Sequence, residues 1–80
     1  MTRSEFITKI ENGYDIMFDV AGKHYTILTW TDAGIEIGEQ NRPDVPIQCF
    51  ATAEQLVDNF LVHDVPLSKL VQKVVITDYS

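Results

Sequence analysis

The hydrophobic period of the chain changes more than once, and the changes divide it into elements. Near the N-terminus Phe6, Ile7 and Ile10 recur at helical spacing. Thr2 followed by Glu5 has the spacing of a capping box, with Ser4 as a competing cap, and Gly13 supplies a stop. From Tyr14 the period becomes two. Tyr14, Ile16, Phe18 and Val20 alternate with Asp15, Met17 and Asp19, as in a half-buried strand. Ala21-Gly22-Lys23 reads as a tight turn into a second strand, His24 to Trp30, rich in β-branched and aromatic residues.

Thr31-Asp32-Ala33-Gly34 is the next turn signal, followed by a short strand from Ile35 towards Glu39. Gln40 to Pro46 is a polar loop holding Pro43 and Pro46, and Ile47 to Phe50 predicts a fourth strand. Thr52 with Gln55 repeats the capping-box spacing, and Leu56, Val57, Phe60 and Leu61 give the helix one apolar stripe. His63-Asp64-Val65-Pro66 then breaks the pattern. Leu67, Leu70 and Val71 predict one or two further helical turns, begun by Pro66 or capped by Ser68, and Val74 to Thr77 predicts a last strand.

The order α-β-β-β-β-α-(α)-β points to an α+β fold, a small and mostly antiparallel β-meander packed against one or two helices. A last strand reached by a helical crossover leaves a parallel pairing open. No repeat or linker interrupts the 80 residues, which make a single domain.

Strand parity locates a second surface. A two- or four-residue loop around Gly22 sets even positions of the first strand beside odd positions of the second. One face then carries Tyr14, Ile16, Phe18 and Val20 with Tyr25, Ile27 and Thr29, and is the candidate core. The other carries Asp15, Met17 and Asp19 with His24, Thr26, Leu28 and Trp30. A three-residue Asp32-Ala33-Gly34 loop ending in a glycine bulge keeps Ile35 and Ile37 on the core face, whereas a four-residue loop moves them beside Trp30. Two arrangements of the second face are open. The N-terminal helix covers it, or it stays bare as an aromatic anchor within an acidic rim, the composition of a protein-binding or homodimer surface.

Composition narrows the function. Twelve acids against six bases give a net charge of −6, and the bases form no run, so direct nucleic-acid binding is not expected. No apolar run approaches the roughly 20 residues of a membrane-spanning helix, and no membrane association is expected. The first five residues lack a leader's apolar stretch, which makes the cytoplasm the expected location.

Catalytic chemistry finds little support. The lone Cys49 cannot form an internal disulfide and reads as a buried filler, and a Cys-His pair with His24 or His63 would need contact that spacing does not supply. The same three residues match no zinc spacing, and Asp15 and Asp19 lie too far apart along a strand to chelate one ion alone. His24 sits opposite Asp19 across a hairpin, where a solvated pair is the simple reading. No cofactor is implied, and the glycines make no phosphate-binding loop.

The expectation is a non-enzymatic, acidic interaction domain that binds a protein partner or itself through Met17, Leu28 and Trp30, with Asp15 and Asp19 at the rim. The alternative is an acidic mimic of nucleic acid that occupies a basic groove, which requires the acids to gather on one surface. A small-ligand or Cys/His enzyme domain is the third reading.

Overall fold

A computed structural model describes all 80 residues. Helix α1 spans Arg3–Asn12 and opens with the expected capping box: Glu5 N–H donates to Thr2 Oγ1 at 3.1 Å, and Thr2 N–H donates to Glu5 Oε1 at 2.9 Å. Gly13 ends it with an extended backbone, φ −99°, so left-handed freedom is not what the position requires. Space is. A Cβ there would meet Ile16 Cδ1 at 3.0 Å and the Lys9 carbonyl oxygen at 3.1 Å.

The strands follow as β1 (Asp15–Val20), β2 (Lys23–Thr31), β3 (Gly34–Glu39) and β4 (Gln48–Phe50). Helix α2 (Ala53–Asn59) leads to a small hairpin of β5 (Leu61–Val62) and β6 (Val65–Pro66). Two 3-10 turns, Leu67–Lys69 and Val71–Lys73, then deliver the chain to β7 (Val75–Tyr79). The main sheet has the order β4-β3-β2-β1-β7 and is antiparallel throughout, an α+β fold of the expected order.

The last strand is not parallel to its neighbour, and the path of the chain explains why. β4 finishes at the same end of the sheet as β1 begins, and α2 with Phe60 and β5 carries the chain to the other end. There His63 Nε2 lies 3.1 Å from the Ala21 carbonyl oxygen at the β1–β2 turn. The hairpin and the short turns keep the chain at that end, so β7 runs back against β1.

Both helices pack on one face of the sheet, around a single cluster of 17 buried apolar residues. Its centre is an aromatic chain linking α1, β1, β2 and the residue that caps α2. Phe6 meets Phe18 edge-on at 5.4 Å between ring centres, Phe18 meets Tyr25 at 5.5 Å, and Tyr25 meets Phe60 edge-on at 5.2 Å. Ile37 joins this core opposite Ile27, with Ile35 packed at its margin, as the parity of a bulged turn predicts. The turn is tighter than a three-residue loop, because Thr31 pairs with Gly34 across Asp32 and Ala33. A register shift between Leu28 and Thr31 restores the same parity.

Other expectations give way. Tyr14 precedes β1 and is 67% exposed rather than part of the core. α2 stops at Asn59, because Phe60 turns to extended backbone and sends Leu61 outward into β5. His63-Asp64, which interrupts the helical pattern, is the turn of a hairpin, with φ of 51° and 65°. Cys49 is not a buried filler. It faces solvent on β4.

Candidate functional site: the uncovered sheet face

Neither helix covers the face opposite the core. The registers assemble it as three cross-strand rows, since residues directly paired across antiparallel strands project to the same side. The first row is Asp15, Leu28, Glu36 and Cys49 on β1, β2, β3 and β4. The second is Asp78, Met17, Thr26 and Gly38 on β7, β1, β2 and β3. The third is Val75, Asp19 and His24. Met17, Thr26 and Leu28 are half-buried in the middle, and Trp30 stands 61% exposed at one end.

The indole is held in place. Trp30 Nε1 donates to Asp15 Oδ1 at 2.7 Å, diagonally across the β1–β2 pair. At the other end, His24 Nδ1 and Asp19 Oδ1 lie 2.5 Å apart, the solvated pair expected from the hairpin. The five residues singled out from parity, Asp15, Met17, Asp19, Leu28 and Trp30, therefore share this one face.

The charge of the face is one-sided. Asp15, Asp19, Glu36 and Asp78 lie in the rows, and no lysine or arginine does. The chain's Lys/Arg ion pairs lie outside the rows: Arg3 with Asp58 at 2.7 Å, Lys23 with Glu39 at 3.4 Å, and, on the loop at one corner of the face, Arg42 with Asp44 at 3.2 Å and Glu39 at 3.7 Å. The hydrogen bond from Arg3 holds the Asp58 carboxyl below its ordinary pKa, and that from Arg42 does the same for Asp44. The remaining eight of the twelve acids are distributed over the helices, turns and loops and the last residue of β3, Glu39.

One corner of the face is hollow. The loop between β3 and β4 curls back over Thr26, Leu28 and Gly38, leaving an open cavity of about 410 Å³. The absence of a side chain at Gly38 makes room for Ile47, whose Cγ1 would lie 3.2 Å from a Cβ there. The loop is well tied. Gln40 donates its backbone N–H to the His24 carbonyl at 2.8 Å and its side-chain amide to the Tyr25 carbonyl at 2.8 Å. Val45 N–H donates to the Arg42 carbonyl at 3.0 Å, and Asn41 takes the left-handed conformation that reverses the chain.

The chemical candidates do not converge. Cys49 and His24 share the face but are two strands and four residues out of step, roughly 16 Å apart by sheet geometry. His63 lies beyond the β1–β2 turn. No group of three or more His, Cys, Asp or Glu side chains is arranged to hold a metal ion, and no helix is long and apolar enough to cross a membrane.

Parity alone did not reach Asp78, Val75, Cys49 or the cavity. The residues that β7 presents depend on its pairing with β1, distant in sequence, and on a register shift beside Met17 and Phe18. Gly38, one residue before the end of β3, is the available signal for the cavity, since a glycine within a strand marks a close approach of other chain segments. The chain matches no protein-family model, and no curated protein or solved structure is significantly similar to it.

Proposed function

We propose that this protein is a non-catalytic docking domain whose uncovered sheet face binds a protein partner bearing lysine or arginine side chains. The observation that carries this reading is the unanswered charge of the face. Asp15, Asp19, Glu36 and Asp78 surround Met17 and Leu28 with no lysine or arginine among the cross-strand rows, and an exposed, hydrogen-bonded Trp30 stands at one end. A pinned aromatic anchor inside a polar rim is the usual anatomy of an interface, and charge complementarity selects the partner.

Self-association through this face is the weaker alternative. Two copies meeting there would set like charges against each other, which costs binding at neutral pH. Mimicry of nucleic acid needs a concentrated acidic surface, and eight of the twelve acids lie off this face. The exposed thiol of Cys49 favours a reducing compartment such as the cytoplasm.

The test is titration of Trp30 fluorescence with a blocked peptide of alternating lysine and leucine. Saturable binding is expected, weakened about tenfold or more by Trp30→Ala when read by calorimetry. Neutralising Asp19, Glu36 and Asp78 together should weaken it and flatten its salt dependence. Neutralising Glu11, Glu54 and Asp64, which lie off the face, should do little. Equal effects from both triple variants, or none from Trp30→Ala, would overturn the reading.

A further inference from the structure

The cavity under the β3–β4 loop differs from the rest of the face in being walled by both sheet and loop. Its apolar lining comes from Leu28 on the sheet and from Val45 and Ile47 on the loop. Its charge resolves to one group. Glu39 and Arg42 also line it, but Glu39 is paired with Lys23 and Arg42, and Arg42 with Asp44, so those four charges cancel. Glu36 is half-buried, pairs with no cation and receives no side-chain hydrogen bond. A half-buried carboxylate beside an apolar wall is complementary to a long aliphatic stem ending in a cation, because the stem covers the wall while the head answers the charge.

We propose that this cavity is the specificity pocket for a single lysine-type side chain of the partner, its stem against Leu28, Val45 and Ile47 and its ammonium at Glu36. The assignment rests on the reading of the face as a docking surface for a cationic protein, and adds where one of the cations goes. Hydrogen bonds and an ion pair through Gln40, Arg42 and Val45 tie the loop to the sheet and to itself, which limits the ordering cost of binding. A cavity of about 410 Å³ lies within the range of small-ligand pockets and has room for a lysine side chain.

The pocket is tested on the whole chain by following backbone amide shifts while adding hexylammonium chloride, hexan-1-ol or sodium hexanoate at matched ionic strength. Hexylammonium should shift Thr26, Glu36, Gly38 and Ile47 saturably and bind about tenfold more tightly than the alcohol, and hexanoate should not bind. Glu36→Gln should abolish the preference for the ammonium over the alcohol. Gly38→Val should abolish binding of both, since its side chain displaces Ile47 and fills the space, and the extended backbone at that position accepts a side chain. Dispersed amide spectra of each variant confirm folding, and Glu36→Gln, a change at the surface, carries the conclusion if Gly38→Val unfolds. Equal affinity for alcohol and ammonium, a preference for hexanoate, or shifts elsewhere would overturn the assignment. If hexylammonium fails while the lysine–leucine peptide still binds through Trp30, the pocket falls and the docking face stands; if neither binds, both fall.

Discussion

Trp30 and Asp15 are joined by a 2.7 Å hydrogen bond from the indole to the carboxylate, on a face that no helix covers. The bond fixes the orientation of a large aromatic side chain that remains 61% exposed. A residue held in place yet left in water contributes little to folding. Trp30→Ala should therefore lower stability by no more than about 1 kcal/mol in urea unfolding, as for other exposed side chains. A loss above about 2 kcal/mol would assign Trp30 to the fold instead.

The buried aromatic chain behaves in the opposite way. Phe18 is fully buried between Phe6 and Tyr25. Phe18→Ala should cost about 3–5 kcal/mol, the range for deleting a core aromatic ring. Against a total of about 5–15 kcal/mol for a small domain, that loss should shift the urea midpoint sharply or leave the chain unfolded.

Two turn glycines should respond differently to alanine. Gly22 has φ 79° but nothing near its missing Cβ, so only the backbone penalty of about 1 kcal/mol applies. Gly34 has φ 104°, and a Cβ there would fall 2.7 Å from the Phe50 carbonyl oxygen on the adjacent strand. Because that neighbour is backbone, Gly34→Ala should cost clearly more than Gly22→Ala and loosen β4. Thermal unfolding of the two variants, with amide exchange at Phe50, measures the difference.

Acid sensitivity should trace to the helix N-terminus and to the clasp between the helices. The Glu5 carboxyl is held below its ordinary pKa chiefly by the Thr2 backbone N–H, and that of Asp58 by the Arg3 guanidinium. A pKa depressed by folding gives stability that is complete above the unfolded value, near 4, and lost as the pH falls through the folded one. Glu5→Gln with Asp58→Asn should therefore lower stability at pH 7 and reduce the slope of stability against pH below about 4. Both groups are exposed, so the change should be small and should shrink in high salt. An unchanged slope would separate these contacts from the acid response.

Much of this fold is legible in local chemistry. The Thr2–Glu5 box and the alternation from Ile16 to Val20 each name an element from a few adjacent residues. The parity that put Asp15, Met17, Leu28 and Trp30 together needed only a two-residue turn at Gly22. What was not legible depends on contacts distant in sequence. Which face the helices choose is decided by the size of the core that Phe6, Ile10, Leu56 and Val57 complete, not by any of them singly. The exposure of Cys49 follows from its register with Glu36 at the end of a row, and Asp78 reaches the face only through the β1–β7 pairing. The Leu61–Pro66 hairpin hides because its turn, His63-Asp64, takes positive φ without a glycine to mark it.

Amide shift mapping with the lysine–leucine peptide tests the docking surface most directly. The expected result is a continuous set of perturbed amides across Asp15–Asp19, His24–Trp30 and Glu36–Gly38, weakened by salt, with α1 and α2 silent. Perturbations centred on the helices, or spread evenly over all the acids of the chain, would contradict the sheet face as the site of docking.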